Sequence, residues 1–118
     1  MTEIVLPTDA NSLGYLRGGR LVDWMDIASE IACQRYCGNV AVTVSMDKVS
    51  FSKSIKVGEI VTIQATVVKT HNTSLEIKVE VWTENTLKKS KQKTNEATLT
   101  FVAVNREGKP VRVRELLS

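Results

Sequence analysis

The sequence predicts an α+β fold in which one long helix lies across a curved antiparallel sheet. The first observation is a change in the spacing of apolar residues. They recur every three or four positions from residue 18 to about residue 37, the period of an amphipathic helix, and every two positions in later stretches, the period of strands. The second observation is that the strands alternate on one side only. The opposite sheet face is therefore exposed to water or paired with another copy of the chain.

The helix follows a short strand near residues 3–6 and has a broad apolar face. That face consists of Leu21, Trp24, Met25, Ala28, Ile31, Ala32 and Tyr36. Gly38 and Asn39 come directly after the last apolar position, and a glycine or asparagine there is typical of a helix end. We therefore expect one helix that begins at Gly18 and ends near Cys37.

Four longer strands follow the helix, separated by turn residues. Their alternating apolar positions are Val40, Val42, Val44 and Met46; Val61, Ile63, Ala65 and Val67, which should face inward; Leu75, Ile77, Val79 and Val81; and Ala97, Leu99, Phe101 and Ala103. His71 and Asn72 form a turn between the second and third of these strands, which predicts a long hairpin. Residues 105–110 have turn chemistry and end the sheet.

The size and composition are those of one globular domain spanning residues 1–118. A chain of 118 residues with 42% hydrophobic and 25% charged residues can bury one sizeable core, but hardly two. No apolar run approaches the roughly 18 residues that span a bilayer, and the first residues lack the pattern of a signal peptide. We therefore expect a cytoplasmic protein without membrane insertion.

The net charge of +3 and a cluster of lysines favour anionic partners. The cluster consists of Lys88, Lys89, Lys91 and Lys93. Its favoured interpretation is a solvated hairpin tip or edge strand, where lysines oppose sheet-to-sheet aggregation. A phosphate-bearing ligand is the second interpretation. Nucleic acid ranks below both, because no DNA-binding or RNA-binding motif accompanies the charge.

The two cysteines, Cys33 and Cys37, fall on one side of the predicted helix. We expect them to be free, buried thiols. A zinc site is a poor alternative, because two thiols and the distant His71 do not make the usual shell of four ligands. The sequence therefore predicts neither a metal nor any other cofactor.

Residues 7–26 resemble the signature of the hotdog-fold acyl-CoA thioesterases. The matching features are Asp9-x-Asn11, Gly14, the Gly18-Gly19 pair and Asp26 in the helix that follows. Residues 49–59 and 77–82 extend the resemblance over nearly the whole chain, toward the broad-specificity bacterial and the brain-type acyl-CoA hydrolases. Two positions depart from it. Arg17 stands where Phe or His is common, which affects the expected acyl-chain preference, and Ser54 replaces a proline.

The resemblance implies a hotdog fold that hydrolyses a fatty acyl-CoA to a free acid and CoA, and it implies site residues. Asp26 would be the catalytic carboxylate, Asn11 the polar partner at the thioester or water, and Gly18 the backbone donor to the thioester oxygen. A helix start presents unpaired N–H groups, which suit an oxygen that becomes negative, and Gly18 and Gly19 let substrate approach closely. Whether Asp26 activates water or attacks directly stays open.

The spacing of these residues also predicts an assembly. Gly18 and Asp26 lie about 12 Å apart along one helix, so they cannot both touch one thioester carbonyl. Two antiparallel helices that cross at a two-fold axis would place Gly18 and Asn11 of one chain opposite Asp26 of the other. We therefore expect an obligate homodimer, and the family precedent also includes a trimer of dimers.

Other candidates carry less weight. Lys69, Thr73 and Ser74 in one turn, together with Lys53 or Arg17, could bind the phosphates of CoA. His71 in the same turn is interpreted as a surface residue rather than a base. A dehydratase of the same fold would need a histidine near the helix, and none is present there. The alternative outside enzymes is a non-catalytic module that binds or senses acyl-CoA.

Overall fold

The structure is a computed structural model, and it describes residues 1–114. Its elements are β1 (Thr2–Ile4), a 3-10 turn (Pro7–Asp9), α1 (Gly18–Cys37), β2 (Val40–Phe51), β3 (Ile60–Thr70), β4 (Ser74–Asn85) and β5 (Ser90–Val104). The predicted α+β fold is therefore confirmed, with one long helix and one sheet within the described part. The predicted domain reaches residue 118, and residues 115–118 lie outside the described residues.

The five strands form one antiparallel sheet in the order β1-β3-β4-β5-β2. The predicted hairpin of β3 and β4 is confirmed, since Ala65 pairs with Val79 across it. The order leaves β1 at one edge and β2 at the other. The second sequence observation, strands that are apolar on one side, is explained by α1, which packs across a single face of this sheet.

The helix α1 has the predicted bounds because both of its ends carry clear local signals. Arg17 precedes it in extended conformation, and Gly38 ends it with a φ of 72°, a left-handed angle that glycine adopts readily. Its buried residues are Leu21, Trp24, Met25, Ala28, Ser29, Cys33 and Cys37. The hydroxyl of Ser29 donates a hydrogen bond of 2.8 Å to the carbonyl of Met25, so this buried polar group is satisfied within the helix.

Both cysteines are free and buried, as the sequence predicts. The thiol of Cys37 donates a hydrogen bond of 3.1 Å to the carbonyl of Cys33. Burial raises the pKa of the Cys33 thiol to about 12, because the apolar surroundings disfavour the thiolate.

The core lies where the centre of the sheet meets α1. The predicted inward residues of β4 and β5 are all buried, whereas in β3 Ala65 and Val67 are only half-buried. In β2, Val40, Val42 and Val44 are exposed by 56%, 47% and 56%. The buried position of β2 is instead Ala41, which is 4% exposed and pairs with the buried Ala103 on the side that α1 covers. Because side chains alternate along a strand, Val40 and Val42 lie on the opposite face, away from α1.

The cluster of lysines occupies the predicted hairpin tip. Lys88 and Lys89 lie in the turn between β4 and β5, and Lys91 and Lys93 lie in the first residues of β5. The ammonium of Lys93 forms ion pairs with Glu96 at 3.0 Å and Glu80 at 3.4 Å. In residues 1–114, no helix has the length and apolar character needed to cross a membrane.

Candidate active site

A cavity of about 440 Å³ opens beside the first turn of α1. Its walls come from the turn before the helix, from the first residues of the helix, and from the end of β2 with the loop after it. The wall residues are Asn11, Tyr15, Leu16, Gly18, Leu21, Phe51, Ser52, Lys53, Ser54 and Ile55. Three predicted site residues, Asn11, Gly18 and Lys53, therefore meet at one cavity that has both polar and apolar walls.

Asn11 shapes the turn that leads into the cavity. Its Oδ1 atom accepts hydrogen bonds from the backbone N–H groups of Leu13, at 2.9 Å, and Tyr15, at 3.1 Å. Gly14 in the same turn has a φ of 83°, which favours glycine. Because the oxygen of the Asn11 amide is engaged by the turn, its NH₂ group is the part that can donate to a ligand.

The backbone N–H groups of Gly18 and Gly19, at the start of α1, are two further donors in this region, because an α-helix has no acceptors of its own for its first N–H groups. The N–H groups that follow them, of Arg20 and Leu21, already bond to the carbonyl of Arg17, each at 3.1 Å. Apart from the adjacent residues and the helix's own backbone, no described atom lies within 4 Å of the position that a Cβ would take at either glycine, so the space above both is open. A negatively charged oxygen placed there would meet the positive end of the helix.

Arg17 is not one of the cavity's wall residues. Its guanidinium donates to the carbonyl of Thr8 at 3.2 Å and to that of Asp9 at 3.4 Å. Its backbone N–H also donates to the carbonyl of Asp9, at 3.0 Å. In the described chain Arg17 therefore fixes the preceding turn against the helix start, and its binding of a CoA phosphate stays a prediction.

Asp9 anchors the same turn, a role that the sequence did not reveal. Its buried carboxylate accepts hydrogen bonds of 3.0 Å from the backbone N–H of Leu6 and from Nε of Arg20. The Leu6 N–H and the Arg20 guanidinium hold the pKa of Asp9 below its usual value. Arg20 also lies 5.4 Å from the ring centre of Trp24, which fits a cation–π contact. Asp9 thus ties the residues before Asn11 to the first turn of α1.

The ionisation of Asp9 should contribute to stability in a defined pH range. Because the pKa is lower in the folded chain than the unfolded value of 3.8, the carboxylate stabilises the fold above that pH, and the contribution is lost as pH falls through the folded pKa. We expect Asp9→Asn to lower Tm at neutral pH and to flatten the decline of Tm below about pH 4. Thermal unfolding between pH 2 and pH 7 measures both effects.

Asp23→Asn is the matched control, since Asp23 is an exposed carboxylate that also faces Arg20, at 3.6 Å. Its Tm should follow the wild-type pH curve closely, because exposed ion pairs contribute little. Identical pH curves for wild type and Asp9→Asn would contradict the stabilising role assigned to Asp9.

Asp26 lies in the middle of α1, away from the cavity walls of its own chain. It is half-buried, and its Oδ1 atom accepts a hydrogen bond of 2.5 Å from the hydroxyl of Thr43 in β2. Asp26 therefore lies at the β2 edge of the molecule, about 12 Å along the helix from Gly18. Within one chain, the structure does not bring the predicted carboxylate to the predicted backbone donor.

The turn between β3 and β4 lies at the other end of the sheet. There Ser74 pairs with Val102 of β5, whereas Phe51 at the cavity pairs with Asn95. Lys69, Thr73 and Ser74 are consequently separate from Lys53, whose ammonium donates to the side chain of Gln92 at 2.9 Å. His71 is an exposed turn residue, as predicted, and its ring nitrogen lies 2.8 Å from a carboxylate oxygen of Glu76.

Sequence reasoning also missed the apolar walls of the cavity. These are Tyr15, Leu16, Leu21, Phe51 and Ile55. The spacing of apolar residues places Leu21 on the helix face but does not distinguish it from the other residues there. Phe51 and Ile55 lie in residues 49–59, where apolar residues show no regular spacing. Their meeting depends on how the loop after β2 folds back, where the N–H of Leu16 bonds to the carbonyl of Ile55 at 2.7 Å. No pattern in the sequence indicates that contact.

Comparison with known proteins identifies the family. The family model described as "Thioesterase superfamily" matches residues 13–90, more than half of the chain. The chain belongs to the thioesterase superfamily. The match covers the turn of Asn11 only from Leu13 onward, but it includes all of α1 and the strands β2, β3 and β4. The predicted family is thereby confirmed.

Two relatives show how much of other proteins this chain matches. It is 36% identical over 110 residues to a Buchnera aphidicola protein named an uncharacterized acyl-CoA thioester hydrolase, covering 91% of this chain and 82% of that one. It is 33% identical over 117 residues to mouse acyl-coenzyme A thioesterase 11, covering 99% of this chain. The chain spans only 20% of the mouse protein's length.

A solved structure confirms the fold of this chain. It is a hexameric hotdog fold thioesterase of Campylobacter jejuni, 31% identical, with a TM-score of 0.90 over 97% of this chain and 88% of that one. The prediction of a hotdog fold, made from the signature in residues 7–26, is therefore confirmed.

Proposed function

We propose that this chain hydrolyses an acyl-CoA thioester to a free acid and CoA. The observation that carries the proposal is the cavity that joins the start of α1 to Asn11. A thioester oxygen placed there would accept hydrogen bonds from the N–H of Gly18 and from the NH₂ group of Asn11. Donors aimed at an oxygen that gains charge during attack typically contribute about 10²-fold to 10³-fold each. The names of the relatives support the substrate class.

The carboxylate in this proposal comes from a second copy of the chain. Asp26 lies too far along α1 to reach a thioester at Gly18 of its own chain. It adjoins β2, whose outer edge pairs with no strand of residues 1–114 and which carries the exposed Val40, Val42 and Val44. Two copies that pair these edges about a two-fold axis would form a continuous sheet and place their helices side by side. Asp26 of each copy would then face the cavity of the other.

Hydrolysis requires an oxygen nucleophile and a proton acceptor. In the first route, Asp26 takes a proton from water as the water oxygen bonds to the carbonyl carbon, and the C–S bond then breaks to release the CoA thiolate, which is protonated. In the second route, an Asp26 oxygen bonds to the carbonyl carbon, CoA leaves, and water hydrolyses the resulting anhydride. Neither route needs a metal or a redox cofactor, and none is proposed.

The CoA part of the substrate would follow the polar wall of the cavity. Lys53 lies on that wall, so its ammonium is the cation best placed for a CoA phosphate. Lys69, Thr73 and Ser74 would have to come from another copy. The hexameric relative supports such an assembly, and a trimer of dimers is the form we propose. Action in the cytoplasm stays a prediction.

The direct test is turnover of a panel of acyl-CoA thioesters from acetyl-CoA to palmitoyl-CoA, followed with a thiol reagent. Release of CoA by the purified chain is the expected result. Binding of acyl-CoA without release would favour the non-catalytic sensing module, and neither binding nor release would contradict the proposal. Hydration or dehydration remains disfavoured, since His71 lies in the β3–β4 turn, far from the cavity.

The proposed pairing of two copies through β2 can be tested by placing a charged side chain on that strand. We expect Val42→Lys to convert the assembly to a form without the β2 contact and to remove most turnover, because lysine on a sheet edge opposes pairing. Light scattering after size exclusion measures the mass, and CoA release measures the activity. Leu87→Lys is the control, since Leu87 is 95% exposed at the hairpin tip. An unchanged mass for Val42→Lys would contradict this interface.

A further inference from the structure

The cavity beside the first turn of α1 has a polar mouth and an apolar bottom. Among its wall residues, Asn11, Gly18 and Lys53 are exposed to solvent. Leu21 and Ile55 also line the cavity, but their exposed fractions are only 4% and 3%. These two aliphatic side chains therefore form the bottom of the cavity, and the polar groups lie around its opening.

The bottom of the cavity is closed by the core of the same chain. Leu21 and Ile55 both belong to the cluster of buried apolar residues between α1 and the sheet, and such interiors are close-packed. The N–H of Leu16 bonds to the carbonyl of Ile55 at 2.7 Å, which holds this end in place. A second copy of the chain would add atoms at the mouth, but it would not change what lies behind the bottom.

This arrangement orients a bound thioester. The phosphates of CoA keep their hydration only at the mouth, where Lys53 lies, whereas an acyl chain gains from leaving water. Gly18, the proposed donor to the thioester oxygen, and Leu21 are three residues apart, so they lie on the same face of the helix. With the oxygen at Gly18, the acyl chain therefore points toward Leu21 and the CoA arm points outward.

The volume of the cavity limits the length of that acyl chain. A non-hydrogen atom of an alkyl chain takes up about as much space as a water molecule, about 30 Å³, so the cavity of about 440 Å³ holds about 15 such atoms. The thioester carbon, oxygen and sulfur and the first atoms of the CoA arm take about seven of these places. About eight places are left for the acyl chain.

We propose that Leu21 and Ile55 set the limit of acyl-chain length, and that the substrates are thioesters of short and medium acyl groups, up to about eight carbons. The inference rests on the proposed function, and it deepens that function by naming a class of substrate. A longer chain meets two side chains that the core holds in place. Its last carbons then stay outside the cavity or displace core residues, and both outcomes weaken binding in the transition state.

The test measures kcat/KM for saturated acyl-CoA thioesters with an even number of carbons, from butyryl-CoA to palmitoyl-CoA. For wild type, kcat/KM should rise up to octanoyl-CoA and then fall by about tenfold or more, because a methylene without room costs about 10-fold to 200-fold. Leu21→Ala removes three carbon atoms from the bottom of the cavity, so the maximum should move to longer chains by about two carbons. Leu21→Phe should move it to shorter chains.

Leu99→Ala is the matched control. It removes the same three carbon atoms from a buried residue of β5 that is not a wall residue of the cavity. Its Tm should fall, because large-to-small changes in a core are destabilising, but its maximum should stay at the wild-type chain length. If the alanine variants do not fold, Ile55→Val and Ile77→Val repeat the comparison, since each removes one carbon atom, at the bottom of the cavity and elsewhere in the core.

The position of the maximum separates this inference from the proposed function. Wild-type kcat/KM that keeps rising to palmitoyl-CoA would overturn the inference, and so would a maximum that the changes at Leu21 and Ile55 leave unmoved. Equal shifts in Leu21→Ala and Leu99→Ala would also overturn it. In all three cases hydrolysis itself stands. Failure of wild type to hydrolyse any thioester would instead contradict the proposed function, and the inference would fall with it.

Discussion

Asp26→Asn is expected to lower kcat for acyl-CoA hydrolysis by about 10³-fold without changing the fold. The amide keeps the shape of the carboxylate and can still bond to the hydroxyl of Thr43. It can neither take a proton from water nor attack the thioester, so both proposed routes lose their essential group. Release of CoA measures turnover, and circular dichroism with thermal unfolding verifies the fold.

Asp23→Asn is the control for the loss of a negative charge on the same helix. Asp23 lies three residues earlier and its side chain is 60% exposed, so its replacement should leave kcat within a factor of about two of wild type. Turnover by Asp26→Asn close to the wild-type rate would remove the carboxylate from the proposed mechanism.

Two inactive variants are expected to restore activity when they share one dimer. The first is Asp26→Asn. The second is Gly18→Pro, which deletes the N–H proposed to bind the thioester oxygen. Proline suits the first position of a helix, and the extended conformation of Arg17 suits a residue before proline, so the fold should tolerate the change. Alone, Gly18→Pro should lower kcat by about 10²-fold to 10³-fold.

Co-expression of the two variants distinguishes a shared site from one within a single chain. In a mixed dimer, one site has both defects and the other has none. Random pairing makes half of the dimers mixed, so about a quarter of wild-type activity should return if each site combines two chains. If Gly18 and Asp26 acted within one chain, the mixed sample would be no more active than its components. Each variant expressed alone gives the baseline.

The sequence was sufficient for the elements whose signals are local. The bounds of α1 agree with the prediction because Gly38 ends the helix through its own backbone preference. The inward residues of β4 and β5 agree because both strands lie in the interior of the sheet and are covered by α1. Alternation alone did not show that β2 would be an edge strand, nor that it would bury Ala41 and expose its valines. Both properties depend on how β2 pairs with β5, a strand far away in the sequence.

The candidate site was predictable only in part for the same reason. Asn11 and Gly18 lie within eight positions of each other, and the structure places both at one cavity with Lys53. Lys69, Thr73 and Ser74 have suitable chemistry, but strand register places them at the other end of the sheet. Asp9 belongs to the family signature, but its anchoring role was not indicated there, because that role depends on a contact with Arg20 that only folding creates.

The buried thiols of α1 have a practical consequence for all of these assays. Burial raises the pKa of the Cys33 thiol to about 12, so this group is almost entirely protonated at the pH of such assays. Cys37 is likewise enclosed by the core. Disulfide reagents react with thiolates that they can reach, so the native protein should give almost no background colour of its own. A colour change that grows with protein concentration in the absence of thioester would therefore report unfolded material in the sample.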